Sequence, residues 1–279
     1  MARWSLQPAP SAQAQVVLIP TAFGIDTQAP GAILAAGSQI SAFEPALQVD
    51  VDDLAIAQVA AFPDEPPYGM CEAAVQQALS RRQWPVLLPS VMAASLGAIR
   101  ALWKHHPSLR VVVCSAHPGL RPAAEVVDQD GDPQYNSQTW VERLYQLQIP
   151  VVHVGVRSSS KKAWDLLQQQ AGQRLFHSHA PWQPQEVVAA LPDQGVFLAI
   201  DCNVLDPTLI PTVLNPEPGG LDWHRLQTLI KVLFAHRPVL GVALGGLTVA
   251  EGTRQTARYG ARLLNWILAC YALSCHAQT

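Results

Sequence analysis

Six short runs of apolar, mostly β-branched residues punctuate the chain: "QVVLIP", "WPVLLPS", "LRVVVCSAH", "IPVVHVGVRS", "GVFLAIDCNVL" and "PVLGVALGG". Their apolar residues are continuous rather than alternating with polar ones, so each strand must be covered on both faces, the condition met in a parallel sheet. Between them lie "AASLGAIRALWKHH", "SQTWVERLYQLQ", "SKKAWDLLQQQAGQ", "DWHRLQTLIKVLFAHR" and "TRQTARYGARLLNWILACYAL", with apolar residues three and four apart. That order predicts one α/β domain over residues 1–279, three-layered, with a mostly parallel doubly wound sheet. Residues 1–14 are expected to be a flexible lead-in. Functional loops should gather at the carboxyl ends of the strands.

Bulk properties narrow the partners. A net charge of −3 favours neither nucleic acid nor an anionic membrane surface. No apolar run approaches the roughly 18 residues of a membrane helix. Five cysteines, odd in number and without a CxxC pair, and the lack of a basic-then-apolar leader in "MARWSLQPAPSAQAQ" predict a reduced cytoplasmic protein. The proline-rich stretch 61–69 and the acidic, turn-rich stretch 128–138 read as surface loops.

Several residue pairs invite chemistry. His177 and His179 stand two apart and could chelate a metal, yet no acidic or cysteine partner lies near in sequence, and a surface loop is the expectation. His105 and His106 sit where a helix should end before Pro107, a position that favours imidazolium. Cys114 and Cys202 should point into the packed layers, while Cys270 and Cys275 should face a neighbour or solvent. Trp84, Trp140, Trp164, Trp182, Trp223 and Trp266 are expected as core or interface anchors.

The most specific stretch is "FLAIDCNVLDPTLIPTVLNPEPGGLDW", which resembles the S-x-D-x-D-x-x-D-P motif and PEPGGL loop of the ureohydrolase superfamily: arginase, agmatinase, formiminoglutamase and guanidinobutyrase. "CSAHPGLR" resembles the family's D-A-H-x-D, "VVHVGVRS" its I-G-I-R, and "VLLPSVMAASLGAIRAL" the strand and helix bearing G-G-D-H-S. "VVLIPTAFG" with "APGAI" resembles its opening strand and P-G-A loop, and "TRQTARYGARLL" its closing helix.

The resemblance implies two manganese ions bridged by a hydroxide that attacks a guanidinium carbon, a centre that needs several carboxylates and two imidazoles. Position by position, the ligand set is mostly gone. Met92 stands for the histidine of G-G-D-H-S; Ser115 and Gly119 stand for the two aspartates of D-A-H-x-D around a retained His117. Asp201 is retained and Asn203 replaces its partner. The downstream carboxylate falls on Gly245 or Gly246, and the proton-shuttle histidine on the region of Asn136 and Gln138. One carboxylate and one imidazole cannot offset the desolvation of two dications.

The expectation is therefore a pseudoenzyme with no manganese cofactor and at most weak divalent-metal binding at His117 and Asp201. Its role would be binding, regulatory or structural. By family analogy it would be a homo-oligomer, a trimer or hexamer, alone or with an active paralogue or other protein. Period-two alternation puts Ser115 and His117 on one face of their strand end and Asp201 and Asn203 on one face of theirs. With Met92 and Gly119 they would line a remnant pocket in which Asp201 accepts from Ser115 or His117, or pairs with a small cationic ligand. The alternative is a divergent hydrolase of guanidino or other linear C–N amidine or amide bonds, using relocated metal ligands or a metal-free Ser115, His117, Asp201 site. A pocket plugged by Met92 would argue against it.

Overall fold

The computed structural model describes residues 6–8, 13–24, 26–61, 68–122, 136–170, 174–249 and 254–276. All six apolar runs form strands: β2 (Val16–Thr21), β6 (Trp84–Pro89), β7 (Arg110–Cys114), β8 (Val151–Val154), β10 (Val196–Asp201) and β11 (Val239–Gly245). Three-residue strands β1 (Leu6–Pro8), β5 (Ile56–Gln58) and β9 (Arg174–Phe176) complete a sheet ordered β1-β5-β2-β6-β11-β10-β7-β8-β9. Each described pairing in it is parallel. β3 (Phe43–Glu44) and β4 (Val49–Asp50) make a separate antiparallel hairpin.

The strands sort their side chains between two cores. Val16, Leu18, Val112, Leu198 and Ile200 enter one, with residues of α1 (Ala29–Gly37), α6 (Pro184–Ala189), α7 (Trp223–His236) and α8 (Arg254–His276). Val17, Ile19, Val111, Val113, Phe197 and Ala199 enter the other, with residues of α2 (Tyr68–Ser80), α3 (Ser95–His105), α4 (Trp140–Gln146) and α5 (Lys161–Gln169). Apolar burial on both faces is what the unbroken runs require. No described helix is long and apolar enough to cross a membrane.

Three expectations need correction. Leu6–Pro8 pairs in register with Ile56–Gln58, so this part of the expected flexible lead-in belongs to the sheet edge; residues 1–5 and 9–12 lie outside the described residues. "APGAI" is not a loop: it opens α1, with Pro30 in the first turn, where its missing N–H costs nothing. Cys270 is buried, with Cys71, Cys114 and Cys202, and only Cys275 is partly exposed. Burial pushes the Cys114 thiol up to about 12 and holds Cys202 well above its ordinary value, so both are inert structural groups. Most of the surface loops expected at 61–69 and 128–138 fall outside the described residues.

Tryptophans anchor the layers as expected. Trp84 donates its indole N–H to the Val239 carbonyl at 2.8 Å and stacks on Tyr271 at 4.1 Å between ring centres. Trp266 donates to the Gln227 carbonyl and ties α8 to α7.

The topology decides where a site can form. β6, β11, β10 and β7 are consecutive neighbours at the middle of the sheet. Their carboxyl ends deliver Met92, Gly245, Asp201 and Ser115 to one place, because α3 carries the chain from β6 over two intervening strands to β7. This is a topological switch point, where α/β sheets present ligands.

Candidate functional site at the carboxyl ends of the central strands

The strands stop sooner than period-two alternation assumes. β7 ends at Cys114, so Ser115, Ala116 and His117 lie in the turn beyond it; Asn203 lies in a 3₁₀ turn, Cys202–Val204, that follows β10. The expected single pocket is divided in two as a result: Ser115, Asp201 and Asn203 form a buried knot, while His117 and Gly119 line an open cleft.

Asn203 is the hub of the knot. Its side-chain oxygen accepts from the Ser115 hydroxyl at 3.0 Å and from the Ala116 N–H at 2.9 Å, and its amide nitrogen donates to the Leu214 carbonyl at 3.3 Å. An aspartate could not make the last of these bonds. Asp201 accepts the Asn203 N–H at 3.1 Å, which caps the 3₁₀ turn. Burial pushes the Asp201 carboxyl up to about 7, against the opposing pull of the Asn203 N–H and the nearby Arg157 guanidinium. Asp201 therefore serves Asn203 rather than Ser115 or His117. The Ser115 hydroxyl is committed to Asn203 and to the His117 backbone N–H, at 3.2 Å. The His117 ring faces elsewhere, donating from Nε2 to the Asn215 carbonyl at 3.3 Å and lying 3.9 Å from the Glu217 carboxylate. A nucleophilic relay through Ser115, His117 and Asp201 has no geometric basis in this arrangement.

Beside the knot the floor is closed. Met92, in the 3₁₀ turn after β6, is 1% exposed. A Cβ added at Gly245 would sit 2.4 Å from the Pro89 carbonyl oxygen and 3.1 Å from the Met92 sulfur. One added at Gly246, whose φ is +77°, would sit 2.0 Å from an Asp201 carboxylate oxygen. The two positions that would carry the downstream carboxylate are thus the ones against which the thioether and Asp201 pack.

This donor set does not fit a pair of manganese ions. Hard dications select several carboxylate oxygens; the knot offers one carboxylate, an amide and a hydroxyl, with a thioether at its edge. Among the described residues no group of three or more His, Cys, Asp or Glu side chains is disposed to hold a metal ion.

Above the knot opens a cleft of about 510 Å³, lined among others by His117, Arg121, Gln138, Ser158–Ser160 and Glu217. Arg121 donates to Gln138 at 2.7 Å, so the position expected to lack a proton-shuttling histidine instead holds an arginine in place. Arg157, the arginine of the segment that resembles I-G-I-R, takes a role the sequence did not assign. Its guanidinium donates to the carbonyls of Gly155, Asn203, Val204, Leu205, Glu217 and Pro218, at 2.7 to 3.2 Å. It clamps the end of the 3₁₀ turn to the loop that carries Glu217. Arginine shortly after a strand end was the available signal; its acceptors are main-chain atoms, which leave no trace in residue identity.

The same loop is drawn to Asp206, whose carboxylate accepts from Thr208 and from the N–H groups of Gly219 and Gly220. These bonds hold its carboxyl down at about 2. A Cβ at Gly220 would lie 2.3 Å from the Asp206 nitrogen and the Leu205 carbonyl carbon. Gly220→Ala is expected to destabilise by more than about 2 kcal/mol in urea denaturation. Gly31→Ala, on open helix surface, is the control and should be neutral or slightly stabilising.

His177 and His179 lie in the turn after β9, where they line a second cleft that shares Ser158–Ser160 with the first.

A model of the arginase family matches residues 24–270. The N(1)-aminopropylagmatine ureohydrolase of Synechocystis sp. is 25% identical over 264 residues, which cover 87% of this chain and 84% of that protein. The agmatinase of Bacillus subtilis is 26% identical over 237 residues, 81% of this chain and 79% of that one. Among solved structures, formimidoylglutamase from Bacillus subtilis matches with a TM-score of 0.85 at 19% identity, covering 98% of this chain and 92% of its own. Arginase from Bacillus caldovelox matches with a TM-score of 0.76 at 18% identity, covering 92% and 98% respectively.

Proposed function

The chain belongs to the arginase family, and from that premise we propose that it is a non-hydrolytic member, in which the dimanganese centre has been given up and the fold is kept for binding. The observation that carries this reading is the closed floor: Met92 is buried where the family places a ligand histidine, and Gly245 and Gly246 leave no room for a carboxylate beside it. The loops that resemble the family's D-P and PEPGGL segments are kept as scaffold, held by Arg157 and Asp206. They shape an open polar cleft around His117, Gly119, Arg121 and Glu217. Asp201 lies below this cleft rather than in its lining, so among the described lining residues Glu217 is the carboxylate that a small ligand would meet. The role we assign is that of a regulatory or structural cytoplasmic subunit, as a homo-oligomer or in company with an active relative.

The relatives named above are ureohydrolases, so the reading is tested against their chemistry. The purified protein is incubated with excess Mn²⁺, desalted and its metal content measured by elemental mass spectrometry; urea release from arginine, agmatine and N(1)-aminopropylagmatine is followed in parallel. The expected result is no retained manganese and no urea. Retention of one or two manganese ions per chain with measurable urea release would return the chain to the active family.

A further inference from the structure

We propose that His177 and His179 form a clamp for one late first-row divalent cation, of the zinc, nickel and copper class, at a place separate from the strand-end floor. The geometry already has the dimensions of a chelate. The two ring centres lie 5.2 Å apart with planes inclined by 31°. Two imidazoles that share one tetrahedral ion, each bound at about 2.0–2.1 Å, bring their ring centres to roughly 5 Å.

The nitrogen that would face the ion is set by its opposite number. His177 Nδ1 is 3.3 Å from the Val156 carbonyl oxygen, and by donating there it leaves the Nε2 lone pair free. A backbone carbonyl behind a ligand histidine is a common outer-shell device that fixes both tautomer and ring orientation. Trp164 packs on the same ring at 5.4 Å and limits its rotation.

The turn that carries the pair is tied to neighbouring elements through its carbonyls. Arg225 reaches over from α7 to donate to the Ser178 carbonyl at 3.0 Å and the Ala180 carbonyl at 2.9 Å, and its guanidinium lies 4.1 Å over the Trp182 ring. Trp182 in turn donates to the His177 carbonyl at 2.7 Å. Arg225, Trp182 and Trp164 thus hold the turn backbone and the His177 ring, so the exposed His179 ring is the donor that remains to be ordered on binding.

The surroundings leave coordination positions open. Both histidines, Trp164 and Ser158–Ser160 line a cleft of about 420 Å³. Two cations share that lining, but neither is aimed at the histidines: Lys161 pairs with Asp165, and the Arg157 guanidinium is engaged by backbone carbonyls. Two imidazole donors select borderline metals over manganese or magnesium, which prefer oxygen. With only two protein donors the ion is exchangeable, and its remaining positions are for water or an anionic ligand.

Equilibrium dialysis against Zn²⁺ and Ni²⁺ tests the proposal in the wild-type chain and in His177→Ala, His179→Ala and His117→Ala. One ion per chain is expected for wild type and His117→Ala, with affinity at least tenfold lower in either clamp variant. His179 is exposed, so His179→Ala remains informative if the half-buried His177→Ala misfolds. Undiminished binding in His179→Ala, no binding in wild type, or loss of the ion in His117→Ala would each overturn the clamp.

Discussion

Gly246→Glu, the change that returns a carboxylate to the end of β11, is expected to destabilise the protein by at least about 4 kcal/mol, a large part of the roughly 5–15 kcal/mol that holds a typical domain folded. Three effects act together. The backbone at 246 has a φ of +77°, which a side chain strains. The new Cβ would sit 2.0 Å from one Asp201 oxygen and 2.7 Å from its carboxyl carbon, so β10 and β11 would have to move apart where they are paired in register. A second carboxylate would then face one that is already difficult to ionise. Urea denaturation of Gly246→Ala and Gly246→Glu separates the terms: alanine tests steric closure, and the further loss in glutamate tests charge. Met92→Ala should cost about 2–5 kcal/mol as an ordinary core truncation. If Gly246→Glu instead stays within about 1 kcal/mol of wild type and gains manganese, the floor is not closed and the non-hydrolytic reading falls.

What the residue pattern conveys about this molecule divides along a physical line. Long apolar runs declare strands because burial on two faces demands them, and all six form as expected. β5 and β9 escape notice because three residues make no period, and they exist because a neighbouring strand edge pairs with them. The motif comparison locates Met92, Asn203 and Gly246, but only geometry explains why they belong together: the sulfur packs on Gly245, and the Asn203 amide satisfies the Leu214 carbonyl. The error over Ser115 and His117 comes from extending strand geometry past Cys114. Side-chain alternation is a property of extended backbone and lapses within one residue of a turn. The histidine pair at 177 and 179 reads as a plain surface loop because its support, Arg225, is 47 residues beyond Ser178 in the chain and acts through carbonyls.

Asp201→Asn is expected to raise stability by an amount that grows as pH climbs from about 4 to above about 7, the reverse of what a metal-binding or ion-paired aspartate would show. The folded-state carboxyl, pushed up to about 7 by burial, lies above its value in the unfolded chain. Its contribution is therefore fully present below the ordinary carboxylate range, near about 4, and is lost progressively as pH rises through about 7. The gap corresponds to up to about 4 kcal/mol once the group is ionised. The substituted amide would keep an oxygen for the Asn203 N–H and would never ionise, so it would escape that loss. Asp206 works in the opposite sense: its carboxyl is held at about 2, and the stability it brings is present above about pH 4 and lost as pH falls toward 2. Urea denaturation of wild type and Asp201→Asn at about pH 4.5, 6 and 8 isolates the first effect, because Asp206 is ionised at all three. The variant should be the more stable at each, by the least at the lowest pH and by the most at the highest. A variant less stable than wild type at about pH 8 would mean that the Asp201 charge is stabilised in the fold by a partner, and Asp201 would again have to be considered a ligand rather than a buried cap.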